Sequence, residues 1–281
     1  MTDLKKQISA SLRKDLEAGE LILPSLPEVS MKIQEEVKKQ SSTASSIARY
    51  IILDPGLTAH LLKVANSPFY RTKNAISELP EAISIIGIDS VLSTALTYTM
   101  RTMFVATEGS WKSVLKKQWQ ESIEMAALIA VSTDYVPGFN KDEVVAAAML
   151  QNVGILPLIN HLQHWPQLNE QDIEQLIEEN SKKAGLALVK SWGLGKVFEE
   201  AILARKNWFH ETSSALDTTD LITIARFHYM INQGRLNECP EVTEVPAFRH
   251  LEQMNFTPAM SMEWIYQARE KIDHFKNLLT L

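Results

Sequence analysis

The stretch that decides the fold reads Trp119-Gln-Glu-Ser-Ile-Glu-Met-Ala-Ala-Leu-Ile-Ala130 and, after a polar break, Val144-Val-Ala-Ala-Ala-Met-Leu-Gln-Asn-Val-Gly154. Apolar residues recur in both halves at spacings of three and four, which predicts two helices. Their alanines allow helix backbones to approach closely, so we expect the pair in the middle of a helical bundle. Two polar residues, Gln151 and Asn152, interrupt the apolar run where the second helix ends.

Composition and charge limit what the rest of the chain can be. The 281 residues are 45% hydrophobic with only 10 Gly and 11 Pro, which favours a packed helical protein. The formal net charge of -6 disfavours a nucleic-acid partner, since phosphate binding needs a basic face. The single cysteine, Cys239, cannot form an internal disulfide, and no apolar run approaches the roughly 18 residues of a membrane helix. We therefore expect a cytoplasmic protein that binds neither nucleic acid nor a membrane.

Helical periodicity continues along the whole chain, and no strand pattern is convincing, so the predicted fold class is all-α. Before the central pair, helices are predicted over 4–18, from Glu28 to Val37, over 44–53 with a cap in Ser41–Thr43, over 57–65, and from an N-cap at Asp89 to Met103. After it we expect a helix end or bend at Pro157, two helices within 169–192, and helices over 197–208, over 217–232 with Asp217 as N-cap, and over 258–279.

Four further motifs precede the central pair. They are Leu23-Pro-Ser-Leu-Pro-Glu-Val29, Ile51-Ile-Leu-Asp-Pro-Gly-Leu-Thr58, Leu61-Leu-Lys-Val-Ala-Asn-Ser-Pro-Phe-Tyr-Arg71, and Leu79-Pro-Glu-Ala-Ile83 with Ile86-Gly-Ile-Asp89. Each alone is a common turn or helix end. In series, and with the central pair, they resemble the HDOD family, the HD-related output domains, over about 21–211. HDOD is a branch of the HD superfamily of metal-dependent phosphohydrolases.

The resemblance implies a two-lobed helical bundle with a degenerate HD-like core. It divides the chain into an N-terminal helix (1–20), an HDOD domain (21–214) and a C-terminal helical extension (215–281). Within the domain we expect an N-terminal lobe over 21–106 and an HD-like lobe over 111–214.

In HD enzymes, histidines and aspartates hold a catalytic metal, and the resemblance implies where those ligands would lie in this chain. The positions carry Glu121, Gln151, Asn152, Ser181, Arg205, Lys206 and Arg226. Neutral amides are poor ligands for a hydrolytic metal, and arginine does not lose its proton to become one. We therefore predict no metal, no cofactor and no catalytic residue.

Two hypotheses describe what fills the vacated site. In the first, Glu121 forms an ion pair or a hydrogen-bonded network with Arg226, Arg205 or Gln151, because a buried unpaired charge is costly. In the second, Arg205, Lys206 and Arg226 bind a small molecule that carries a phosphate.

The resemblance implies a non-catalytic bacterial signalling or regulatory module that contacts unidentified signalling proteins. The alternative is a sensor domain that binds a nucleotide or other anionic metabolite in the remodelled cavity. A metal-dependent phosphohydrolase comes third, because the residues that would hold its metal are missing.

Overall fold

The computed structural model describes residues 3–70, 72–105, 111–162, 164–165, 168–210 and 215–279. Within these ranges the chain forms α-helices, two short 3-10 turns and loops, without a β-strand, so the all-α prediction is confirmed. In chain order the helices are α1 (Asp3–Ala18), α2 (Glu28–Val37), α3 (Ala44–Ile51), α4 (Pro55–Ala65), α5 (Leu79–Ile86), α6 (Ile88–Val105), α7 (Lys112–Tyr135), α8 (Lys141–Leu150), α9 (Ile155–Leu162), α10 (Glu170–Ser191), α11 (Lys196–Ala204), α12 (Thr218–Asn232), α13 (Pro246–Gln253), α14 (Pro258–Gln267) and α15 (Arg269–Leu279).

The N-terminal lobe packs α2 to α5 around the first half of α6. Its core consists of aliphatic side chains, which include Ile33, Ile47, Ile51, Leu57, Leu61, Ile83, Val91 and Ala95. The second half of α6 enters the larger core through Leu96, Met100 and Phe104. A single helix is therefore shared by the two lobes.

The larger core is organised around the predicted central pair, α7 and α8, which pack against each other. Every side chain from Val144 to Leu150 in α8 is buried, as expected for a helix with neighbours on all sides. Helices α9 to α12 surround the pair, and α1 and α15 cover it with Ile8, Leu12 and Ile272. The alanine-rich stretch thus forms the centre of the fold.

The C-terminal helices build a third, smaller core against the end of α7. Phe248 and Trp264 pack there with Val136 and Phe227. The ring of Tyr135 stacks on Trp264 with centroids 4.8 Å apart. The C-terminal extension is therefore packed against the HD-like lobe.

The turn between α8 and α9, residues 151–154, lies against α10. A Cβ atom on Gly154 would lie 1.9 Å from the backbone oxygen of Ser181 and 2.6 Å from the backbone nitrogen of Gly185. Only glycine permits so close an approach. This contact places α10 directly beside Gln151 and Asn152.

The predicted helix caps are largely confirmed. The side chains of Thr43 and Asp217 each accept a hydrogen bond from the third helical N–H group. The side chains of Ser46 and Asp220 accept one from the backbone N–H groups of Thr43 and Asp217, which completes two capping boxes. Asp89 is not an N-cap, because α6 already begins at Ile88, directly after α5. It lies in the first turn of α6, where a carboxylate is favourable to the helix dipole.

Several predicted helix boundaries are wrong. Pro157 neither ends nor bends a helix, because α9 starts at Ile155 and a proline in the first turn removes no intrahelical hydrogen bond. The two helices predicted within 169–192 are one helix, α10, which tolerates Gly185 because that residue packs against Gly154 and Ile202. Other differences are that α3 ends at Ile51, α11 ends at Ala204, and the predicted last helix is two helices that meet at Ala268. Helix α13 was not predicted.

One helical stretch of the described chain, Lys141–Leu162, is long and apolar enough to cross a membrane, and so is the bent pair α5 and α6 if the two helices are taken together. This likeness concerns only length and composition, and 89% of the most apolar part of Lys141–Leu162 is buried inside the protein. This stretch consists of α8 and α9, which lie in the larger core.

Candidate functional site

The site is built on the turn that follows α8. Asn152 is only 1% exposed, and its side chain is bonded on both sides. The Nδ2 group donates to Ser122 Oγ at 3.2 Å and to the backbone oxygen of Gln118 at 3.5 Å, while Oδ1 accepts from Arg205 Nε at 2.5 Å. Asn152 therefore joins α7 to the end of α11.

Arg205 supplies the positive charge at the centre of the site. Its Nη1 group donates to Ser181 Oγ at 2.8 Å, and Nη2 lies 3.7 Å from a carboxylate oxygen of Glu178. The side chain is 5% exposed. Burial lowers the pKa of Arg205, while the charges of Glu178 and Glu121 oppose that shift. Because arginine stays protonated in proteins, a fixed guanidinium group spans Asn152 and α10.

The backbone at the end of α11 directs Arg205 and Lys206 to different environments. Arg205 leaves the helix with ψ 116, and Lys206 adopts the left-handed conformation at φ 55, which a non-glycine residue rarely takes. Arg205 is buried, whereas Lys206 is exposed and pairs with the Glu178 carboxylate. Both cations thus share Glu178.

Arg226, on α12, faces the same region. Its guanidinium group stacks on the ring of Trp208 at 4.2 Å, and its Nη1 atom is buried without a hydrogen-bond partner in the described structure. Burial lowers the pKa of Arg226 to about 10; the charge of Glu121 opposes the shift and that of Arg205 adds to it. The side chain remains a cation at neutral pH.

The direct ion pair hypothesised for Glu121 is not formed. Among the described residues no hydrogen bond or salt bridge joins Glu121 to Arg205, Arg226 or Gln151. Arg205 is held instead by Asn152 and Ser181, and Arg226 stacks on an aromatic ring, so Glu121 acts on both only through space. Gln151 is also buried, and its Nε2 atom lacks a partner among the described residues.

These side chains border a cavity of about 540 Å³. Four of the predicted site residues line it, namely Glu121, Arg205, Lys206 and Arg226. The other three, Gln151, Asn152 and Ser181, are buried and do not line it. The structure therefore brings all seven predicted positions into one region, but in two layers.

Sequence reasoning missed several residues of this region. Gln118 and Ser122 flank Glu121 on α7 at a spacing of four, and Glu178 precedes Ser181 by three on α10, so each pair lies on one helix face. Trp208, whose ring stacks on Arg226, has no such signal in the sequence because it lies beyond the end of α11. Helical spacing could have identified the first three.

The donor set of the site does not fit a metal ion. Two of the oxygen atoms that could serve as ligands, Asn152 Oδ1 and Ser181 Oγ, already accept hydrogen bonds from Arg205. A guanidinium group in this position repels a cation and offers no lone pair. Within the described residues no group of three or more His, Cys, Asp or Glu side chains is placed to hold a metal.

Fold and site together define an all-α protein with an HD-like core, in which amide and guanidinium groups occupy positions that the resemblance assigns to metal ligands. The chain belongs to the HDOD domain family, whose model matches residues 23–208. A search of curated proteins gave no match.

Solved structures give the same fold. A protein of Shewanella amazonensis, provisionally named a metal-dependent phosphohydrolase, is 23% identical with a TM-score of 0.80 and matches 98% of this chain and 99% of that chain. An HDOD domain protein of unknown function from Geobacter sulfurreducens is 17% identical with a TM-score of 0.69 over 99% and 100% of the two chains. A provisionally named signal transduction protein of Marinobacter aquaeolei is 15% identical with a TM-score of 0.61 over 99% and 66%. At these identities the likeness concerns the fold.

Proposed function

We propose that this chain is a non-catalytic regulatory module of bacterial signalling, which acts in the cytoplasm through contacts with other signalling proteins. The family assignment and the name of the Marinobacter relative support a regulatory role. The observation that carries the non-catalytic part is Arg205, whose guanidinium group is hydrogen-bonded to Asn152 and Ser181.

The chemistry of phosphoester hydrolysis explains why Arg205 matters. A hydrolytic metal lowers the pKa of bound water and so supplies hydroxide at neutral pH. A guanidinium group binds phosphate oxygens but cannot activate water in this way, and it has no basic form at physiological pH. A site organised around Arg205 is therefore suited to holding or excluding anions.

Turnover assays test the non-catalytic part. The purified protein is incubated with Mg²⁺, Mn²⁺, Fe²⁺ or Zn²⁺ and a chromogenic phosphomonoester or phosphodiester, beside an Asn152→Ala variant. We expect both proteins to match the buffer blank and no metal to raise the melting temperature. Metal-dependent turnover by the wild type that is lost in Asn152→Ala would overturn the proposal and favour the phosphohydrolase.

Crosslinking in living cells tests the protein-contact part. The tagged chain is crosslinked in the bacterium that encodes it, and its adducts are identified by mass spectrometry against a tag-only control. We expect a reproducible adduct with a signalling protein at a stoichiometry well above the control. A chain that stays monomeric and free of adducts under these conditions contradicts the proposal.

The second candidate is a sensor that binds a nucleotide or other anionic metabolite in the remodelled cavity. It is favoured by two buried guanidinium nitrogens at the cavity, Arg205 Nη2 and Arg226 Nη1, which lack hydrogen-bond partners in the described chain. Guanidinium pairs of this kind are typical of oxyanion binding. A melting temperature that rises with phosphate or nucleotides but not with metals supports this candidate.

A further inference from the structure

The charges that surround the cavity do not cancel completely. Three ion pairs close on its rim, and they join Lys117 to Glu174, Lys206 to Glu178, and Arg235 to Glu238. Three more charged groups line the cavity: Arg226, Glu121 and Arg205, which lies 3.7 Å from the already paired Glu178. These three groups are two cations and one anion, so the lining carries one net positive charge and favours an anionic ligand.

The cavity has both hydrogen-bond donors and an acceptor that are unpaired in the described structure. Arg205 Nη2 and Arg226 Nη1 are donors, and Gln118 Oε1 is an acceptor; each is buried and has no partner among the described residues. The side chains of Arg205 and Gln118 belong to residues that are more than nine-tenths buried. Buried polar atoms are normally hydrogen-bonded, and these atoms have no protein partner in the described chain, so they are available to a bound ligand.

A ligand that pairs with all three atoms must be an anion on one side and a donor on the other. An oxyanion alone would satisfy the two guanidinium groups but would face the Glu121 carboxylate and leave Gln118 Oε1 unpaired. A neutral donor alone would leave the excess positive charge. The complement is one molecule with a single oxyanion group and N–H or O–H groups.

Resting on the sensor function, we propose that the cavity binds a nucleoside monophosphate, with its phosphate at Arg205 and Arg226 and its donor groups towards Glu121 and Gln118. The size agrees, because about 540 Å³ lies in the roughly 300–1,000 Å³ range of small-molecule sites. Additional phosphates would bring negative charge towards Glu174, Glu178 and Glu238, which disfavours diphosphates and triphosphates. Glu121 therefore selects against bare phosphate, and the rim selects against longer phosphate chains.

Isothermal titration and thermal shift with four probe classes test this inference. The probes are inorganic phosphate, nucleosides, the four nucleoside 5′-monophosphates and the corresponding triphosphates. At least one monophosphate is expected to bind more tightly than phosphate, its nucleoside and its triphosphate, by about tenfold or more in each comparison.

Variants of the cavity residues test which side chains contact the ligand. Arg226→Gln is expected to weaken monophosphate binding by about tenfold or more, since it removes a charged donor. Glu121→Gln is expected to lower the ratio of monophosphate to phosphate affinity, because a repulsive charge is gone. The matched control Arg49→Gln, an exposed arginine on α3, should change neither. Circular dichroism and melting curves establish that each variant is folded, and Gln118→Ala gives an independent test at the acceptor side.

The possible results separate this inference from the function on which it rests. If phosphate binds as tightly as every monophosphate and Glu121→Gln changes nothing, the anion sensor stands and the nucleoside monophosphate is overturned. If neither phosphate nor any nucleotide binds, both are overturned. If a monophosphate binds but Arg226→Gln and Gln118→Ala bind it equally well, the ligand occupies another site and this assignment is wrong.

Discussion

Replacing Arg205 with methionine tests the centre of the site most directly. Methionine keeps much of the side-chain volume but leaves Asn152 Oδ1 and Ser181 Oγ buried without their donor. Each unsatisfied buried group costs about 1–3 kcal/mol, whereas removal of the guanidinium group also relieves its own desolvation. We expect the free energy of unfolding to fall by about 2–5 kcal/mol, and at roughly 2 °C per kcal/mol the melting temperature to fall by about 4–10 °C.

Urea denaturation followed by far-UV circular dichroism measures this change, with Arg49→Met as the matched control for the loss of an exposed arginine. The control should stay within about 0.5 kcal/mol of wild type. A double-mutant cycle with Asn152→Ala isolates the contact, and we expect the double variant to lose less than the sum of the single variants by about 0.5–3 kcal/mol. An Arg205→Met protein as stable as Arg49→Met, or a coupling energy near zero, would refute the anchoring role of the guanidinium group.

Three more predictions concern the scaffold. Gly154→Ala should lower the free energy of unfolding by about 3 kcal/mol or more, or leave the protein insoluble, because its Cβ would overlap the α10 backbone. Gly195→Ala is the matched control, because Gly195 has φ -76 and the nearest atom, Glu143 Oε1, lies 4.0 Å from the added carbon; comparable losses in the two variants would contradict the argument. Asn66→Ala should lower the free energy of unfolding by about 1–3 kcal/mol, because the Asn66 amide accepts from the Ile76 N–H group at 2.7 Å and donates to the backbone oxygens of Ile76 and Leu62, both at 2.8 Å. Urea unfolding beside Asn74→Ala, at an exposed position, measures the difference, and equal stability of the two variants would contradict a structural role. Burial lowers the pKa values of His60 and His228 from 6.5 to about 4, so between pH 6.5 and 4 the unfolded chain binds more protons than the folded chain. Stability should therefore be lost as the pH falls from 6.5 towards 4, by as much as about 3 kcal/mol for each histidine. Urea unfolding at several pH values measures the slope, and a flat profile shared by wild type and His228→Gln would show that the histidines do not contribute.

Local signals in the sequence were sufficient for the fold class and most helices. The apolar spacing of α7 and α8 and the caps at Thr43 and Asp217 depend on neighbouring residues in the chain, which is why they could be predicted. The start of α9 just before Pro157 and the continuity of α10 could not be predicted in this way. Whether a proline falls in the first turn depends on where the previous helix stops, and Gly185 is tolerated only through its contact with Gly154. The domain limits at 21 and 214 stay a prediction beside the family match over 23–208.

The sequence predicted which positions form the candidate site but not which side chains contact one another there. Resemblance identified seven positions that the fold gathers into one region, including Asn152 and Arg205. It could not indicate which partner each charge would choose, because that choice depends on the backbone after α11 and on rotamers. The left-handed residue Lys206 has no sequence signal, yet it lies where Arg205 becomes buried and Lys206 exposed. The hypothesis that Glu121 pairs directly with Arg226, Arg205 or Gln151 consequently missed the contacts that form, in which Arg205 bonds to Asn152 and Ser181 and Arg226 stacks on Trp208.

Helix α6 has a mechanical consequence for the molecule. Its 18 residues form a rod of roughly 27 Å whose two ends are embedded in different cores. Because packed interiors resist deformation, a displacement of this rod in the N-terminal core, where Val91 and Ala95 pack, would also move Met100 and Phe104 in the core that contains α8.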